Sequence, residues 1–88
     1  MKLKYNFVFN EVNGQHVAVA VGGDAIKYKN ILLLNAVGKY VFDQLKCSVS
    51  LEELNNKVIS FFDGDEKEII QQVSSFIAEL DKLGLLES

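Results

Sequence analysis

The stretch NILLLN, residues 30–35, sets four apolar side chains in a row between two asparagines. Upstream, from Tyr5 to Leu34, the residues follow the period of strands. Downstream, from Asn35 to Leu83, apolar positions recur with the period of helices. The row is therefore the end of a sheet, and Asn35 opens a helical half. A strand with one wet face should alternate, so both faces of residues 31–34 call for a cover.

Working back from that row, Asn13-Gly14 suits a two-residue type I′ hairpin, in which both positions need φ > 0. The turn fixes a register with Val12 opposite Gln15, Glu11 opposite His16, and so on to Phe7 opposite Ala20. One face then carries Val8, Val12, Val17, Val19 and Val21. The other sets Phe7 and Phe9 over Ala18 and Ala20, large against small. Gly22-Gly23-Asp24 supplies the next turn. No glycine pattern for cradling phosphate follows it. A third strand is expected from Ala25 to Leu34, kinked or bulged near Asn30. Run straight, it turns Ile26, Tyr28, Leu32 and Leu34 to one face and Lys27, Lys29, Ile31 and Leu33 to the other. Lysines at a sheet edge discourage pairing with stray chains and would attract an acidic peptide.

Three helices are expected at about 36–46, 51–62 and 66–83. Asn35 can cap the first, where Gly38 leaves room for a close neighbour. Ser50 and Glu53 form a Ser-x-x-Glu capping box for the second. The run DGDEKE, residues 63–68, ends that helix and starts the third with acids that complement the helix dipole. It lacks the spaced ligands of a calcium loop. Along the third helix Ile69, Val73, Phe76, Leu80 and Leu83 form the core stripe, with Gly84-Leu85 as a Schellman stop. Ile70 and Ile77 lie one step round, widening the arc either as core or as a groove wall shared with the third strand.

Composition narrows the function classes. Eighty-eight residues, 49% of them hydrophobic and none Pro, suit one folded domain spanning 1–88 and leave no room for a second lobe. Net charge is −3, and all nine cations are lysines, which disfavours phosphate and base-edge recognition. No apolar run reaches the ~18 residues of a membrane span, so the chain reads as cytoplasmic. Cys47 is the only cysteine and His16 the only histidine, so neither a disulfide nor a zinc set is expected. No nucleophile is paired with a base by any motif. The expectation is a nonenzyme without cofactor or metal.

The segments LLLNAVGKYVFDQLKCSVSLEELNNKV (32–58) and FIAELDKLGLL (76–86), with the start FVFNEVNGQHVAV (7–19), resemble the PqqD-like proteins, the RiPP recognition elements. The shared marks are Leu34-Asn35 at the strand-to-helix junction and the terminal Gly84-Leu85-Leu86. The chain departs at Ala36-Val37-Gly38, where family members often carry Glu-Thr-Gly. The resemblance implies an α+β, winged-helix-like fold, a three-stranded antiparallel sheet followed by a three-helix bundle. It implies a noncatalytic chaperone that binds the leader of a ribosomally made precursor peptide by strand addition. The leader is then delivered to a modifying enzyme, often a radical S-adenosylmethionine protein. Carried onto this sequence, the peptide-binding residues are Lys27, Tyr28, Lys29, Ile31 and Leu33 on the strand side and Ile70, Val73 and Ile77 on the helix side.

Two other readings follow from the residues. A winged-helix regulator could dock a helix in DNA, but Glu52, Glu53, Glu66, Glu68, Glu79 and Asp81 on the second and third helices would repel phosphates. A homodimer could bury the apolar sheet faces against a second copy.

Overall fold

The computed structural model describes residues 1–27 and 31–87. In chain order the elements are β1 (Lys2–Leu3), β2 (Phe7–Val12), β3 (Gln15–Ala20), α1 (Asp24–Lys27), β4 (Leu32–Leu34), α2 (Ala36–Gln44), α3 (Leu51–Phe61), α4 (Glu66–Lys82) and β5 (Leu86–Glu87). The fold is α+β and winged-helix-like: an antiparallel sheet in the order β2-β3-β4, followed by the three long helices. Asn13 and Gly14 both have positive φ, 52° and 79°, and the hairpin pairs from Val12↔Gln15 to Phe7↔Ala20 in the register the turn dictates. Alternation then decides the faces. Phe7, Ala18 and Ala20 are buried, whereas Val8 and Val12 on the opposite face are exposed.

The third strand is shorter than its sequence suggests. Asp24–Lys27 is a single helical turn, and among the described residues Leu32–Leu34 pairs with β3, through His16↔Leu34, Val17↔Leu33 and Ala18↔Leu32. A tether accounts for the turn. The Asp24 carboxylate accepts from the Asn6 backbone N–H at 2.9 Å and from the Asn6 side-chain amide at 3.3 Å. This holds the segment after Gly22, itself at φ +65°, against the start of β2 and off the line of a strand. Alternating small windows read equally well as strand until such a contact intervenes. Tyr28, Lys29 and Asn30, including the bulge expected at Asn30, lie outside the described residues. A second addition is the pairing of β1 with β5, Lys2↔Glu87 and Leu3↔Leu86. Two-residue strands leave no periodicity to read.

The helix ends follow their capping residues. Asn35 Oδ1 accepts from the Gly38 N–H at 2.7 Å. Ser50 and Glu53 exchange both bonds of the capping box: the Glu53 N–H donates to Ser50 Oγ at 3.1 Å, and the Ser50 N–H donates to Glu53 Oε1 at 3.3 Å. Asp65 caps α4 through the Lys67 N–H at 2.9 Å. Gly84, at φ +75°, closes α4 as a Schellman motif, its N–H reaching the Asp81 carbonyl while the Leu85 N–H reaches that of Leu80. Leu85 and Leu80 are both buried, the apolar contact that accompanies this stop.

Phe42 sits at the centre of the core, fully buried. It meets Phe7 edge-on at 4.9 Å, Phe9 at 5.6 Å and Phe76 at 6.4 Å between ring centroids, so one side chain of α2 joins the sheet to α4. Lys46 and Lys39 hold their ammonium groups 4.8 and 5.8 Å from the Phe9 ring centroid, covering its outer side. Helix α2 approaches α4 closely because residue 38 has no side chain. A Cβ there would stand 3.1 Å from Asn35 Oδ1 and 3.3 Å from Phe76 Cε1.

Two measurements check this account. Gly38→Val should lower the unfolding free energy by about 1–3 kcal/mol in urea titration, because the branched side chain overpacks against Phe76 and crowds the cap. The second concerns acid. The Ser50 backbone N–H, and after it the Ser50 side chain, holds the Glu53 carboxyl below its ordinary range. A carboxylate depressed in the folded state contributes stability at neutral pH that is lost as pH falls through the carboxylate range. Glu53→Gln keeps an acceptor for the box but does not titrate. The native chain should therefore lose more stability than this variant in thermal unfolding between pH 7 and roughly pH 3.

Candidate functional site

Strand β4 is an edge of the sheet among the described residues, bonded to β3 on one side only. Its three residues alternate: Leu34 is buried, Leu32 half-buried and Leu33 exposed at 67%, with Ile31 just before it exposed at 63%. Leu32 and Leu34 thus belong to the core face, and the open side chains are Ile31 and Leu33. An exposed edge with two large apolar side chains is a template for another strand.

A groove runs beside that edge. Leu32, Leu33 and Leu34 form one bank, and Phe76, Glu79, Leu80 and Leu83 of α4 form the other, around a cavity of about 160 Å³. It shares Asn35, Phe76 and Glu79 with a wider trough of about 480 Å³, which continues along α4 past Ser75, Gln72, Gln71 and Glu68. The apolar end lies at Leu80 and Leu83, and the polar end lies toward the start of α4. Phe76 stands between them with one edge on Phe42 in the core, so the wall is braced from behind.

The helix-side residues inferred from sequence fall elsewhere. Val73 is fully buried in the core, and Ile77 lines a separate recess with Met1, Leu51, Ser74, Ala78, Asp81 and Leu86. Ile70 stands seven residues before Ile77, on the same flank of the helix. The core stripe of α4 has two flanks. The one bearing Ile70 and Ile77 turns toward the start of α3 and the paired chain ends, while Glu79 and Leu83 line the cavity beside β4. Hydrophobicity alone does not separate the two flanks, because the β1–β5 pairing supplies Ile77 with an apolar neighbour, Leu86, that the sequence does not announce. Leu83, 45% exposed at the end of that stripe, lines the cavity beside β4. On the strand side Lys27 ends α1 and is exposed, and Tyr28 and Lys29 lie outside the described residues.

His16 lies opposite Glu11 and Leu34 and faces a third recess with Lys39, Tyr40, Asp43, Phe61 and Phe62. Tyr40 and Phe61 stack there at 4.4 Å. Cys47 is exposed in the turn after α2. Among the described residues no three His, Cys, Asp or Glu side chains are grouped to hold a metal ion. No described helix is long and apolar enough to cross a membrane.

This geometry agrees with what the chain resembles. A solved structure titled "TbiB1 in Complex with the TbiA(beta) Leader Peptide" superposes with a TM-score of 0.72 at 19% identity, covering 100% of this chain and 96% of that one. At that identity the likeness speaks for the fold. No curated protein sequence matches the chain. The sequence profile of the family described as "Coenzyme PQQ synthesis protein D (PqqD)" matches residues 15–86, from the first residue of β3 into β5. The chain belongs to the PqqD family.

Proposed function

We propose that this domain is a noncatalytic recognition element that binds the leader of a ribosomally made precursor peptide and delivers it to a separate modifying enzyme. The observation that carries the proposal is the open edge of β4 lying beside a groove whose far wall is α4. A strand added to β4 would satisfy backbone N–H and C=O groups on both chains. Its alternate side chains would enter the groove against Phe76, Leu80 and Leu83. Family membership supports the reading, as does the likeness to a protein whose structure was solved with a leader peptide. The modifying enzyme would be a radical S-adenosylmethionine protein or another tailoring enzyme acting in the cytoplasm, with residues 1–88 serving as a single binding domain.

The expected strength is modest. Burying about 400 Å² of apolar surface gains roughly 10 kcal/mol before ordering and association are subtracted, which leaves an affinity of about micromolar. A leader held this way can be handed on. Binding DNA through the same region is disfavoured by Glu68 and Glu79, which line the groove and would repel phosphates.

The test is an NMR titration with the leader of a precursor encoded next to this chain. Amides of residues 31–34 and of residues 72–83 should shift together at micromolar peptide. Leu33→Asp, at a site exposed in the free protein, should leave stability within about 0.5 kcal/mol and weaken binding at least roughly tenfold. Shifts confined to the Tyr40–Phe61 recess, or none with any neighbouring precursor at millimolar peptide, would sink the proposal.

A further inference from the structure

The groove does more than offer an edge; its lining states what kind of peptide it takes. Among the described lining residues no lysine is present, and the two charged side chains are Glu68 and Glu79. Neither makes an ion pair among the described residues, where Lys46–Asp43 is the pair within 4 Å. Both are exposed, and their separation of eleven residues returns the helix to nearly the same face, so the two carboxylates overlook one trough. Between them stand Gln72, Ser75 and the Phe76 ring, which offer hydrogen bonds and one apolar surface. Lys27, whose charge by itself would favour an acidic guest, lines neither cavity.

Resting on the strand-addition reading above, we propose that the preferred leader is basic and apolar in a set pattern: one large apolar side chain for the Leu80–Leu83 end, then lysine or arginine facing Glu79 and again facing Glu68. The spacing follows from the two rises per residue. Leu83 and Glu79 are about 6 Å apart along the helix, or two residues of extended peptide. Glu79 and Glu68 are about 16 Å apart, or roughly four to six residues, of which the even spacings keep the second cation on the strand face that meets the groove. The apolar contact supplies most of the affinity. The carboxylates select among strands that fit equally well, and the net charge of −3 assists the encounter with a cationic segment.

The probe is a random twelve-residue peptide library displayed on phage and selected against the full chain and against an E68Q/E79Q variant. Both glutamates are exposed, and circular dichroism would establish that the variant is folded. On the native chain, selected peptides should carry a large apolar residue with Lys or Arg two positions on and again about four or six beyond that. A synthetic copy should shift the amides of residues 31–34. It should bind roughly two- to fivefold more weakly for each Glu→Gln change, and that difference should shrink as salt rises from roughly 0.05 to 0.5 M. Selection on the double variant should lose the cations and keep the apolar residue. Peptides that shift residues 31–34 but carry no cations, or carry the same cations on both proteins, would overturn the charge assignment and leave strand addition standing. Selected peptides that bind without touching β4 or α4 would overturn both.

Discussion

The contact between Phe42 and its three aromatic neighbours organises the molecule. Phe7 and Phe9 come from the first strand of the hairpin and Phe76 from the middle of α4, and all three meet one ring of α2. Because Phe42 is fully buried, the sheet and α4 cannot shift relative to each other without opening the core. The groove is the outer consequence of that inner contact. Its helix wall is the far side of Phe76, and its strand wall is the edge of the sheet on which Phe7 packs. A groove braced in this way is formed before a guest arrives, which reduces the ordering cost of binding.

Gly38 and Asn35 set the width of the groove at its base. Asn35 leaves β4 and caps α2 with one side chain, so strand and helix are joined at a single residue. Gly38, the residue that donates to that cap, lets α2 lie close enough to α4 for Phe76 to reach both the core and the groove.

Much of this was legible in the sequence, and where it was not the reasons are physical. Asn13-Gly14 determined six cross-strand pairs because a type I′ turn leaves no freedom in register. The caps at Asn35 and Ser50 and the stop at Gly84 were legible because each depends on residues within a few positions of one another. The row at residues 31–34 resolved as alternation predicts, with Leu34 inward and Leu33 outward. What escaped depended on distant contacts. The Asn6–Asp24 bonds, eighteen positions apart, turned Asp24–Lys27 into a helical turn. Pairing of the two chain ends gave Ile77 a neighbour and placed it in a recess separate from the cavity beside β4. A helical pattern shows which stripe is buried; it does not show which flank of that stripe meets a strand forty residues earlier.

The central claim is that a peptide joins β4 as a fourth strand and lies against the Phe76–Leu83 flank of α4. Intermolecular NOEs between an isotope-labelled domain and a bound leader peptide test it most directly. The account predicts backbone NOEs from the peptide to Leu32–Leu34 in a strand ladder, together with side-chain NOEs to Phe76 and Leu83. NOEs to Ile70 and Ile77 instead, or to β2 at the opposite edge of the sheet, would contradict it.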